Sequence, residues 1–354
     1  MDHPAVDGDG ELPSAPQLEV VRRLADRRIP QFPRLAELIL ATAGPGRGLI
    51  DVPLTWSAAE DAPRFGAPPM DPAKVPADEL LRVCVGVLGT LVRDWQVPPV
   101  LVPRRRAALW RKPFAVHGSP GTAAAVRAAL LAQGLSEGGR RATHLVIVRP
   151  LDAMMAEQWG VRVHGGAGMT WERMWEHAAA NDRLPPALDV AAIADRMART
   201  LGAERVHVIL AHTREQAAAA AAGVLGVRMR GELASESVAA TDLVRRLNVA
   251  LTVSIGEIRL RALSGALREL TVGADPGPQN SELGASLRQL SWARRTGGEI
   301  ATELRGARYS VHGDPGIVIP TEHAERRAID PADTLAMALT ACVRAWQRTI
   351  AEED

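Results

Sequence analysis

Lysine is almost missing from this chain of 354 residues: Lys74 and Lys112 are the only two, so nearly all of its positive charge is arginine. The planar guanidinium recognises anions well, but it is not interchangeable with the compact, strongly hydrated ammonium. Cysteine is scarce too. Cys84 and Cys342 stand far apart and share no zinc or redox spacing, so they read as buried thiols of a reducing compartment. Neither sign of charge dominates: 42 basic against 41 acidic side chains leave a formal net charge of +1, which excludes a purely electrostatic nucleic-acid binder. Long apolar runs are absent as well. The longest, Ala217 to Val227, has 11 residues and is too short to cross a bilayer. The opening MDHPAVDGDGELP is acidic and broken by proline and glycine, unlike a signal peptide. The histidines show no metal-ligand spacing, since His207 and His212 straddle the end of an apolar run, and no metal is expected. These absences together give the expectation of a cytoplasmic protein with no membrane span and no nucleic-acid partner.

What is present is an alternation of apolar strands and helices. His144 to Val148 (HLVIV) is a continuous apolar run of the kind buried on both faces of a parallel sheet. Arg149 ends it, Pro150 presets the first turn of a helix, and Leu151 to Trp159 continues with helix formers. An arginine at the carboxyl end of a parallel strand is a candidate anion ligand. Upstream, Phe114 to Val116 reads as a strand, His117-Gly118-Ser119-Pro120-Gly121-Thr122 as a glycine-containing turn, and Ala123 to Gln133 as a helix. Such a turn can offer backbone N–H groups to an anion, and a plain strand-to-helix turn uses the same residues. Downstream, Val190 to Leu201 reads as a helix and Arg205 to Ala211 as a further buried strand. The order predicts that segments 114–116, 144–148 and 206–211 lie side by side and parallel. Gly316 to Pro320 (GIVIP) reads as a short strand or ordered loop, and Asp333 to Ile350 as a closing helix. Trp171 and Trp175 share a helix face and read as core. The expected fold class is α/β: a three-layer sandwich with a mainly parallel sheet and extra C-terminal helices. Residues 1–28 are expected to be a disordered tail, although Gln17 to Arg27 has helical spacing, and residues 29–350 to form one domain.

The run RPLDAMMAEQW (Arg149 to Trp159), the following VRVHGG and the aromatic-rich MTWERMWEHA resemble a family of actinobacterial sulfotransferase-like proteins. Thr241 to Leu251 (TDLVRRLNVAL) and the stretch from Arg294 to Asp314 are similar to later passages of the same family, so the likeness spans roughly residues 114–350, with 29–113 divergent. The resemblance implies a P-loop nucleoside-triphosphate-hydrolase-like fold and, in an active member, the donor 3′-phosphoadenosine-5′-phosphosulfate. It also implies that Arg149 grips the donor's 3′-phosphate together with a hydroxyl eight residues on. That position is Glu157 here. The donor-holding loop of the family is best matched by Gly44 to Leu49, where Gly46 stands in place of the lysine and Leu49 in place of the last threonine. Arg47 is the cation left there, with Gly46 and Gly48 offering backbone N–H groups. His117 occupies the place of a family carboxylate and is the candidate general base.

Two readings stay open. The chain is either a binding or scaffold protein with a lost donor site and an unknown small-molecule or protein partner, or a divergent enzyme that moves a sulfuryl group to a hydroxyl or amine. Glu157 either repels the donor phosphate or pairs internally with Arg149.

Overall fold

Four short runs build the sheet. The structure, a computed structural model, describes residues 13–42, 74–93, 95, 113–139, 141–228, 233, 237–271, 283–321 and 328–353. Within them β1 (Phe114–Gly118), β2 (Thr143–Val148), β3 (Val206–Leu210) and β4 (Ser310–His312) pair in that order, all parallel. Phe114, Val116, Leu145, Ile147 and Ile209 point to one face, and Val146, Val148, Val206, Val208 and Leu210 to the other. Both faces are apolar, which is why β2 and β3 read as uninterrupted runs rather than as alternation. The parallel adjacency expected of the first three segments is present. The fourth strand falls within the late passage around Tyr309 to Asp314.

Helices cover both faces. On the first lie α4 (Pro120–Ala132) and α8 (Arg214–Leu225), which bury Val126, Leu130, Ala217 and Ala221 against the sheet. Small alanines let α8 approach the strands closely. The second face carries the larger core, running from α1 (Ala15–Ala25), α2 (Phe32–Ala41) and α3 (Ala77–Arg93) through α5 (Leu151–His164), α6 (Trp171–Ala180) and α7 (Val190–Leu201). It continues into α9 (Val238–Thr271), α10 (Leu287–Arg305) and α11 (Pro331–Glu353). Gly256, at φ 71°, interrupts α9. Within this core Trp159, Trp171, Trp175 and Trp292 meet edge to face in succession, with centroids 5.5–6.2 Å apart. Trp171 and Trp175 are buried, as their shared helix face predicts.

One sequence expectation changes and another is narrowed. The stretch read as an N-terminal tail contains α1, whose Val20 and Leu24 are fully buried. Gln17 adds to this by donating from Nε2 to the carbonyls of Ile39, Leu40 and Thr42, so α1 satisfies the open end of α2. The helical spacing of Gln17 to Arg27 was therefore the better guide. Of the two forms open to Gly316 to Pro320, a short strand or an ordered loop, the second is present: Pro315–Val318 is a 3₁₀ turn in which Asp314 accepts from the N–H of Gly316 and closes the backbone on itself. No helix among the described residues is long and apolar enough to cross a membrane. The sheet order is monotonic among the described strands.

Candidate functional site

The carboxyl ends of β1, β2 and β3 converge on one buried carboxylate. After β1, Gly118 turns the chain at φ +89°, and a Cβ there would lie 2.1 Å from the carbonyl oxygen of Ile147 on the neighbouring strand. Only glycine fits that approach. The turn lets the N–H of Ser119 donate to Ile147 at 2.8 Å and aims the start of α4 across the strand ends. Arg149 follows β2 directly, and Arg214 opens α8 just after β3. Glu157 comes from the second turn of α5.

Glu157 is 2% exposed and collects donors from the ends of the strands. Its Oε2 accepts from Ser119 Oγ at 2.5 Å and from the backbone N–H of Thr122 at 2.9 Å. Its Oε1 accepts from Thr122 Oγ1 at 2.5 Å and from Arg149 Nη1 at 2.7 Å. Arg214 Nε stands 3.5 Å from the same oxygen. Arg149 uses its remaining edge on the backbone carbonyl of His212, at 2.9 and 3.3 Å. Burial alone would push the Glu157 carboxyl up. The charges of Arg149 and Arg214 and the hydroxyls of Ser119 and Thr122 outweigh it and hold the group below the ordinary carboxylate range. Gly121 completes the enclosure, since a Cβ there would lie 3.1 Å from Arg214 and 3.2 Å from the Glu157 side chain.

Two hydroxyls, a helix N-terminal N–H and two guanidiniums converging on one point make an anion cradle. Here the anion is a side chain of the protein. The cradle does not fit a donor phosphate as it stands, because the donors that would hold one are bonded to Glu157. Of the residues picked from sequence, the fold joins Arg149 and Glu157, and it does so by internal pairing. His117 stands apart from them. Its Nε2 lies 3.3 Å from Nδ1 of His144 in a near-parallel ring pair, and burial, then the neighbouring His144 and Arg127, lower its pKa to about 4. At neutral pH His117 is therefore uncharged and a weak base. Arg47, Gly46 and Gly48 lie outside the described residues. No group of three or more histidine, cysteine, aspartate or glutamate side chains among the described residues could hold a metal ion.

Sequence reading missed Ser119, Thr122 and Arg214 as members of the cradle. The turn HGSPGT carried the signal for the first two, a strand followed by small hydroxyl residues and a helix. Arg214 has no local signature, because only the placement of α8 beside α5 brings it to the site. No family model, curated protein or solved structure matches the chain.

Proposed function

We propose that the chain is a divergent sulfotransferase-like protein whose donor site is lost, and that it acts as a binding or scaffold protein rather than as a transferase. The carrying observation is the Glu157 carboxylate bonded to Ser119, Thr122 and Arg149 in the cradle at the strand ends. Where the family resemblance implies a hydroxyl that donates to the donor's 3′-phosphate, this sequence has an acid that accepts instead. An ionised carboxylate about 4 Å from a phosphate charge is repelled by about 4 kcal/mol at an effective dielectric of about 20. A phosphate would also have to displace a buried ion pair, which leaves charge uncompensated.

The test is thermal unfolding with adenosine 3′,5′-bisphosphate. A ligand at a hundred times its dissociation constant stabilises a fold by about 2.7 kcal/mol, a readily measured shift. The wild type should show none. Glu157→Ser, which restores a donor and frees Arg149, should show a shift that Arg149→Ala removes. Glu157→Gln serves as a control that keeps the side-chain shape, in case the serine variant folds poorly. A wild-type shift abolished by Arg149→Ala would overturn the proposal and favour the active transferase that carries 3′-phosphoadenosine-5′-phosphosulfate chemistry.

A further inference from the structure

Beyond the end of α5 a second pair of guanidiniums meets, one on its last turn and one in the loop after α6, and neither forms a salt bridge among the described residues. A hollow of about 570 Å³ lies between the last turn of α5, the end of α6 and the loop that follows it. Its rim holds Arg162, His177, Asn181 and Arg183, and its floor is apolar, with Met174 and Leu184. No carboxylate among the described residues lines it, although Arg183 also borders the adjoining hollow that holds Asp182, Asp189 and Glu299, and neither Arg162 nor Arg183 forms a salt bridge among the described residues. At about 1.5 Å of rise per residue, Arg162 sits about 7.5 Å along α5 from Glu157, and none of the residues of the Glu157 cradle lines the hollow. The hollow is therefore distinct from the Glu157 cradle.

Basic residues in a last helical turn ordinarily answer the helix carbonyls, and that role has to be set aside first. Here the carbonyls have other partners. The N–H groups of Gly165 and Ala167 donate to Arg162 and Val161 carbonyls, and Asn181 donates to the carbonyl of His177 through both its backbone and its side chain. The N–H of Arg183 closes on the carbonyl of Ala178. That bond and the left-handed residue before it form a Schellman-type stop. The left-handed residue is Asp182, at φ 46°, where glycine would be the unstrained choice. The aspartate is held there by α10: its carboxylate accepts from the Trp292 indole at 2.9 Å and from Arg295. Asp182 thus fixes the loop against α10, and the rigid Pro185-Pro186 pair keeps the next wall in place. The wall that presents Arg183 is set before any ligand arrives.

We infer that this hollow is a binding site for an organic oxyanion: a carboxylate, sulfonate or phosphate ester carried on an apolar, ring-sized body. Its volume falls in the usual range for small-molecule sites, about 300–1,000 Å³. The guanidiniums take the anion, and Met174 and Leu184 take the body. The inference stands on the hollow alone and does not depend on the state of the cradle.

Calorimetric titration with 2-naphthalenesulfonate, 2-naphthoate and 2-naphthyl phosphate tests it, with 2-naphthol as the uncharged body and inorganic phosphate as the bodiless anion. At least one of the three naphthyl anions should bind saturably, and both 2-naphthol and inorganic phosphate should bind at least about tenfold more weakly. The double change Arg162→Ala with Arg183→Ala should weaken the bound anion by about tenfold or more, as loss of charge-assisted hydrogen bonds does. Arg173→Ala, on α6 but away from the hollow, should leave it unchanged. The ranking among the three naphthyl anions identifies the head group. Binding of none of them, equal binding of 2-naphthol, or full affinity in the double variant would each overturn the inference.

Discussion

Two pairs of arginines sit at opposite ends of α5, and they have opposite fates. Arg149 and Arg214 at the strand ends are nearly enclosed, and Glu157 neutralises them from within. Arg162 and Arg183 at the far end are exposed and form no salt bridge among the described residues, the carboxylate of neighbouring Asp182 being taken by Arg295. The difference follows from solvent. A charge removed from water is tolerated only when paired and hydrogen-bonded, so the enclosed site must supply its own anion whenever no ligand does. An exposed guanidinium carries no such requirement and can wait for a partner. The enclosed pair is therefore part of the stability of the protein, and the open pair is free to serve recognition.

The largest effect should come from opening the enclosed pair. Arg149→Ala leaves Glu157 buried against fewer donors and should cost about 3–5 kcal/mol in denaturant-induced unfolding. A loss below about 1 kcal/mol would mean that water reaches the cradle. Next in size, Gly121→Ala places a methyl group between Arg214 and Glu157 and should cost about 1–3 kcal/mol, the range of overpacking. Equal stability there would show that the cradle can widen, and so could admit a ligand.

Acid separates the groups by pH. Burial, first of all, lowers the pKa of His164 from 6.5 to about 4, with Arg268 adding to it, and His117 falls by the same amount. For both, the unfolded chain binds the proton more readily. Their contribution is complete above pH 6.5 and is lost as pH falls toward 4, with a slope of at most about 1.4 kcal/mol per pH unit for each proton. The share of His117 is smaller, because its ring is partly solvated. Glu157, lowered instead from a carboxylate value of 4.5, keeps its contribution until pH falls below that point. Stability measured from pH 7 down should thus begin to fall well before the cradle titrates, and His164→Gln should flatten the upper part. A flat profile between pH 6.5 and 4.5 would show that these histidines are not held neutral. Smallest of all, Arg162→Ala or Arg183→Ala should change unfolding free energy by no more than about 0.5 kcal/mol, the usual limit for exposed positions. A larger loss would put the open pair in the same class as the enclosed one.

Local pattern determined much of this protein. The apolar runs at 114–116, 144–148 and 206–211 are adjacent parallel strands, because only segments buried on both faces can afford no polar side, and helices fall between them as their spacing requires. The eight-residue interval from Arg149 to Glu157, a strand end followed by two helical turns, already allowed the pair to meet. Tertiary structure decided the rest. Only the packing of α4 and α8 against α5 brought Ser119, Thr122 and Arg214 onto Glu157, turning an odd acid into the centre of a cradle. Cys84 and Cys342, which shared no spacing, became neighbours across α3 and α11, with Cys342 Sγ 3.8 Å from the Cys84 carbonyl. Asp182 in a left-handed turn made sense only with α10 beside it. Periodicity reports which side of an element leaves water. Which charges then meet depends on contacts between residues dozens of positions apart, and no local pattern carries that information.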